Sequence, residues 1–125
     1  MNVRIVDILD EHKVVVEVEN NKFIAEWDGD KPEKNEIYTV EMDIDDELIW
    51  KTNICFSGEN YNVIIQEGSG VKIVAKLDYN SEDDLATLRV YESIVLVDVE
   101  GIEQDILNEW VEINCHLIRL SNINL

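Results

Sequence analysis

The stretch Tyr38-Thr39-Val40-Glu41-Met42-Asp43-Ile44-Asp45 changes polarity at every step. Tyr38, Val40, Met42 and Ile44 fall on one parity and Thr39, Glu41, Asp43 and Asp45 on the other, the period of two that sends alternate side chains to opposite faces of a strand. One face suits a core and the other suits water. The same period recurs toward the N-terminus, where Val14, Val16 and Val18 alternate with Val15, Glu17 and Glu19, and Phe23, Ala25 and Trp27 alternate with Ile24, Glu26 and Asp28. Asn20-Asn21 reads as a tight turn between those two segments, and Pro32 marks the loop before the stretch at 38–45.

Toward the C-terminus, 49–56 and 61–66 read as strands around a Ser57-Gly58-Glu59-Asn60 turn, and Gly68-Ser69-Gly70 turns the chain into Val71, Ile73, Ala75, Leu77 and Tyr79, with Lys72 and Lys76 facing water. Residues 80–84 fit a loop better than a helix start, because the following 85–100 is rich in β-branched residues and lacks a 3.6-residue stripe. Residues 94–99 are apolar on both parities, which predicts a strand covered on both sides. The one helical spacing is Ile102, Ile106 and Trp110, so a short helix is expected over 102–110. Val111, Ile113, Cys115 and Leu117 share a parity, and the switch to Ile118 and Leu120 predicts a bulge or bend near His116.

This pattern gives seven to nine short strands with at most one or two short helices. The expected fold is all-β, a single domain over 1–125 forming a small antiparallel barrel, OB-like or SH3-like; a two-sheet sandwich would read almost the same. Three alternating segments at the start, a covered strand late in the chain and a closing strand resemble the order of OB-like barrels. Val16, Phe23, Trp27, Val40, Met42, Ile73, Ile94, Val97, Val111 and Ile113 are the expected core.

The 125 residues fit one compact domain. With 46% hydrophobic residues the chain has enough apolar surface to fold despite 30% charged residues. The 28 acids against 10 Lys plus Arg give a formal charge of −18. Nucleic acids and anionic membranes are poor partners for such a surface, since their recognition needs clustered cations. No apolar run is long enough to span a membrane, and Asp7 interrupts the N-terminal segment too early for a signal-peptide core, so a cytoplasmic location is expected. Cys55 and Cys115 lie in apolar contexts without metal-ligand spacing and are expected to be reduced and buried.

Catalytic and metal-binding signatures fail on inspection. The acidic runs at 43–47 and 78–84 would need Gly where Leu48 and Asp83 stand, and a bidentate Glu where Ile54 and Arg89 stand, to make a calcium loop of the EF-hand kind. Adjacent residues in a strand point to opposite faces, so Cys115 and His116 cannot act as a nucleophile and base pair. Ser69 lacks both the nucleophile-elbow and the phosphate-loop context. Most aromatic side chains fall on inward positions and read as core rather than as a stacking platform. No catalytic residue, metal site or cofactor is expected.

What remains is the distribution of acid. Between Glu26 and Glu47 there are ten carboxylates against Lys31 and Lys34. Glu26, Asp28, Glu41, Asp43 and Asp45 occupy outward parities of the strands, and pairing those strands would gather them on one sheet surface. Such a face can simply be solvated, or it can dock a cationic partner with long-range attraction. In size, acidity and lack of catalytic motifs the chain resembles immunity and inhibitor proteins that cap a basic toxin or a DNA-binding protein. That resemblance implies a non-enzymatic module binding a basic protein through those five residues. The alternatives are a structural or adaptor domain whose acidity serves solubility, and an OB-like small-ligand binder.

Overall fold

Thirteen strands and no helix make up residues 1–123, the residues that the computed structural model describes. The first three form a meander: β1 (Asn2–Ile8), β2 (Lys13–Val18) and β3 (Asn21–Asp28). Glu19 and Asn20 both take positive φ, 48° and 68°, as a two-residue primed turn requires. The turn therefore sits one residue earlier than the Asn20-Asn21 expected, because Asn21 already pairs with Val18. A bulge between Ile5 and Asp7 bends β1, and β4 (Ile37–Ile44) joins it through Ile37–Thr39. The last strand, β13 (Ile118–Asn122), enters between β3 and β4, parallel to the first and antiparallel to the second. The order β1-β2-β3-β13-β4 closes on itself, a five-stranded Greek-key closure of the kind OB-like barrels use.

The segment between β4 and β13 builds a second sheet. It contains β5 (Leu48–Ile49), β6 (Ile54–Phe56), β7 (Val63–Glu67), β8 (Gly70–Asn80), β9 (Leu85–Val90), β10 (Ser93–Val97), β11 (Val99–Glu100) and β12 (Ile106–Cys115). Its order is β10-β9-β8-β12-β6, with β7 also on β8. The long β8 carries β12 along one edge, while β7 takes Gly70–Val74 and β9 takes Lys76–Asn80 on the other. A short parallel pair, β5 with β11, ties the chain after β4 to the chain before β12. Two sheets each need one covered face, and here they share a core: Phe23, Trp27, Val40, Met42 and Leu120 of the barrel belong to one buried cluster with Ile73, Leu77, Leu88, Val111 and Ile113 of the second sheet. At the seam, Gln66 of β7 accepts the Ile24 N–H of β3 through its side-chain oxygen at 2.8 Å. It supplies the acceptor that a neighbouring strand would give, where β13 has not yet begun to pair with β3.

The helix expected over 102–110 does not form. Ile106 pairs with Tyr79 and Glu109 with Leu77, so three steps along β12 match two along β8. The extra residue is a bulge at Asn108, whose φ is 53° and whose N–H donates to Asp78 Oδ1 at 2.7 Å. The bulge shifts the inward parity by one, so Ile106 faces the core but Val111 takes the inward place further on and Trp110 turns to the outer face over Lys76; the helix-like spacing marked no shared face. Ile94 is likewise not core: it is 71% exposed, and Leu96 is 68% exposed. β10 lies at the sheet edge with one face covered, so Val95 is buried and Val97 only partly so. The other eight expected core residues are buried. Cys55 is exposed because it shares the outer face with its partner Glu112 across β6 and β12, whereas Cys115 is buried. Phe56 and Tyr61 are also exposed rather than core. The bend near His116 is present: β12 ends at Cys115 and the chain crosses into the barrel at Ile118. Asp46 holds that corner, with one carboxylate oxygen 3.0 Å from the His116 backbone N, which donates to it, and 2.7 Å from His116 Nδ1.

Candidate docking surface

The five acidic residues singled out from the sequence lie on the outer wall of the barrel, but β3 and β4 are not neighbours there. β13 separates them, and its register sets Arg119 opposite Glu26 on one side and Asp43 on the other, with Ser121 opposite Asp28 and Glu41. Alternation fixes the direction of these side chains: Ile118 and Leu120 are fully buried, so Arg119 and Ser121 point outward. The Arg119 guanidinium lies 3.6 Å from Asp43 and 3.4 Å from Asp45. Asp28, Glu41, Asp43 and Asp45 are exposed, while Glu26 is half-buried with Lys13 opposite it on β2. The wall is thus an acidic field with a built-in counter-charge at its centre.

Glu17 and Glu19, on the outward parity of the β2 segment, contribute less. Glu17 accepts from Arg4 at 3.1 Å and faces Lys22 in register, and Glu19 is spent in the turn. The outer face of the second sheet is a mixed ladder instead. Lys72 stands between Glu59 at 2.7 Å and Glu112 at 3.4 Å. The Lys72 ammonium hydrogen-bonds Glu59 and holds its carboxyl below the usual range, and the same contact raises Lys72. Lys76 lies over the Trp110 ring at 5.2 Å, and Arg89 pairs with Asp78 at 3.3 Å. Neutralised in this way, that face offers a cationic partner far less than the barrel wall does.

The clefts carry little convergent chemistry. One, of about 550 Å³, is an open depression lined by Asp10, Glu11, His12, Lys13 and Glu26. Asp10 accepts the backbone N–H groups of His12 and Lys13, each at 2.8 Å, which lowers its pKa and closes the turn before β2. Burial, reinforced by the charge of Asp46, pushes the Cys115 thiol up to about 12, so it stays protonated at neutral pH. Among the described residues, no group of three or more His, Cys, Asp or Glu side chains is placed to hold a metal ion. No helix there is long and apolar enough to cross a membrane.

A second cleft, about 450 Å³, borders the acidic wall. Glu41 and Asp43 of β4 form one side, and Ile94 and Leu96 of β10 form the other. Sequence reasoning placed Ile94 in the core and assigned no role to Arg119. The alternation of Ile118, Arg119 and Leu120 carried the signal for an outward arginine, but its position between β3 and β4 depends on a non-local pairing.

No protein-family model, curated protein or solved structure matches this chain.

Proposed function

We propose that this protein is a non-enzymatic, cytoplasmic docking module that binds a basic protein through the barrel wall bearing Glu26, Asp28, Glu41, Asp43 and Asp45 and blocks that protein's activity, as immunity and inhibitor proteins do. One observation carries the reading: acidic side chains from β3 and β4 converge on either side of β13, and in register at the centre stands a single guanidinium, Arg119. A face meant only for solubility gains nothing from such concentration, since like charges on neighbouring strands destabilise a sheet. The mixed ladder on the second sheet is how this same chain builds a solvated face.

The partner class follows from the charge. With −18 overall, attraction to a cationic surface acts over roughly the Debye length, about 10 Å at 0.1 M salt, and raises the association rate. The test is affinity capture from cognate lysate at low salt with release by raised salt, followed by kinetics of the recovered partner against the Glu41→Gln, Asp43→Asn, Asp45→Asn variant. Slower association for the variant, with salt dependence reduced, is expected. Equal rates and affinities for variant and wild type would remove this face from consideration.

A further inference from the structure

We infer that β10 receives an extended, cationic segment of the partner by strand addition, so that docking combines main-chain pairing along Ser93–Val97 with the acidic field of β4. The inference rests on the docking function proposed above and adds the conformation and composition of what is bound. Three features of the fold converge on it. First, β10 is an edge: it pairs with β9 alone, over Ser93–Val97, which leaves alternate N–H and C=O groups directed away from the sheet.

Second, this edge carries no protective residue of its own, although β4 approaches it along part of its length. Ser93-Ile94-Val95-Leu96-Val97 contains no charge and no proline, and its outward side chains Ile94 and Leu96 are 71% and 68% exposed. Protected edges carry lysine, proline, a bulge or a covering element. Third, the edge does not face open solvent on all sides. β4 pairs with β1 only through Ile37–Thr39, Met1 continues that pairing to Val40, and beyond it the same side of β4 borders the cleft shared with β10. Glu41, Asp43 and Glu92 rim the cleft, while Ile94, Leu96 and Ile123 supply its apolar surface.

Charge complementarity selects the occupant. A second copy of this chain would bring another −18 and an identical acidic rim to the same cleft. An extended segment alternating Lys or Arg with β-branched residues instead matches the acidic rim with one face and the Ile94 and Leu96 row with the other, while its backbone pairs with the edge.

The probe is a synthetic heptapeptide of alternating Lys and Val, compared with the same peptide N-methylated at alternate amides and with heptalysine. Binding to the full chain is followed by titration and by amide exchange. The expected result is that the alternating peptide binds about tenfold or more tightly than either control, slows exchange of alternate amides in 93–97, and loses this advantage on the Ile94→Thr, Leu96→Thr variant. Both positions are exposed and Thr keeps strand propensity, so that variant folds.

Equal binding of all three peptides, with perturbation confined to β3, β13 and β4, would overturn strand addition and leave the acidic-wall function standing. Failure of every peptide, while a basic partner is still captured at low salt and lost in the acidic-wall variant, would do the same. Failure of the peptides together with failure of that capture would overturn both. A concentration-dependent dimer in sedimentation, with 93–97 protected in the absence of peptide, would assign the edge to a second copy and refute the proposal.

Discussion

Removing Arg119 tests whether the barrel wall is an electrostatically loaded surface. In Arg119→Gln, Asp43 and Asp45 lose their guanidinium at 3.6 and 3.4 Å, and Glu26 loses the cation set opposite it in register. All three groups of the ion-paired triad are more than a third exposed, so each pair contributes a few tenths of a kcal/mol in solvent. Unscreened repulsion among the remaining carboxylates adds to the loss, and the total is about 1 kcal/mol at low salt, roughly 3 to 5 °C in Tm for a domain of this size. In the Glu41→Gln, Asp43→Asn, Asp45→Asn background the same substitution should cost much less, because both ion pairs are gone and only Glu26 still faces Arg119 in register. A double-mutant cycle by urea denaturation at low and high salt measures the coupling, which should shrink as salt screens the wall. Function moves in the opposite direction: without its internal counter-charge the wall should attract a cationic probe such as heptalysine more strongly than wild type does. If Arg119→Gln left stability unchanged at low salt and bound the probe no better, the carboxylates would not be acting as one field.

Three further outcomes follow from local geometry. A Cβ on Gly70 would sit 2.7 Å from the Cys115 carbonyl oxygen, so Gly70→Ala should cost about 1 to 3 kcal/mol as β8 and β12 move apart, while Gly58→Ala, with open space around it, should be within about 0.5 kcal/mol of wild type; chemical denaturation separates the two. Gln66→Ala leaves the Ile24 N–H without its acceptor at the seam between the sheets and should cost about 1 to 2 kcal/mol, with faster amide exchange at Ile24 as the local signature. Under mildly alkaline native conditions a thiol reagent should label Cys55, which is exposed, and spare Cys115, which is buried and held as the thiol with a pKa of about 12; rapid labelling of both would contradict the packing around β12.

The barrel was legible because period-two alternation is a local property. Val14, Val16, Phe23, Ala25, Val40 and Met42 declare an inward face from their immediate neighbours, and each is buried. What local alternation does not encode is how many sheets share those faces. β10 looked like a strand covered on both sides because Ile94 to Val97 is apolar at every position, yet one of its faces is solvent. The misreading of Ile106 and Trp110 as a helix has a related origin: an i, i+4 pair fits a strand as well as a helix, and the bulge at Asn108, which turns Ile106 inward and Trp110 outward, is set by pairing with the distant β8.

The acidic wall was legible in its members and not in its wiring. Glu41, Asp43 and Asp45 follow from the alternation of one strand, and Glu26 and Asp28 from that of another, but joining the two sets required a partner strand from the far end of the chain. β13 joins them in parallel with β3, which is the non-local step of the Greek-key closure and the one that local patterning cannot reveal. It also brings Arg119, which offsets part of the repulsion that substitution of the acids would relieve. Neutralising Asp43 and Asp45 relieves repulsion from their neighbours but abandons a guanidinium between them, so the triple substitution at Glu41, Asp43 and Asp45 should leave the stability of the free domain within about 1 kcal/mol of wild type rather than raise it outright. The consequence for function is useful. A slowed association in that variant then reports lost attraction, because the scaffold presenting β10 and the wall is unchanged.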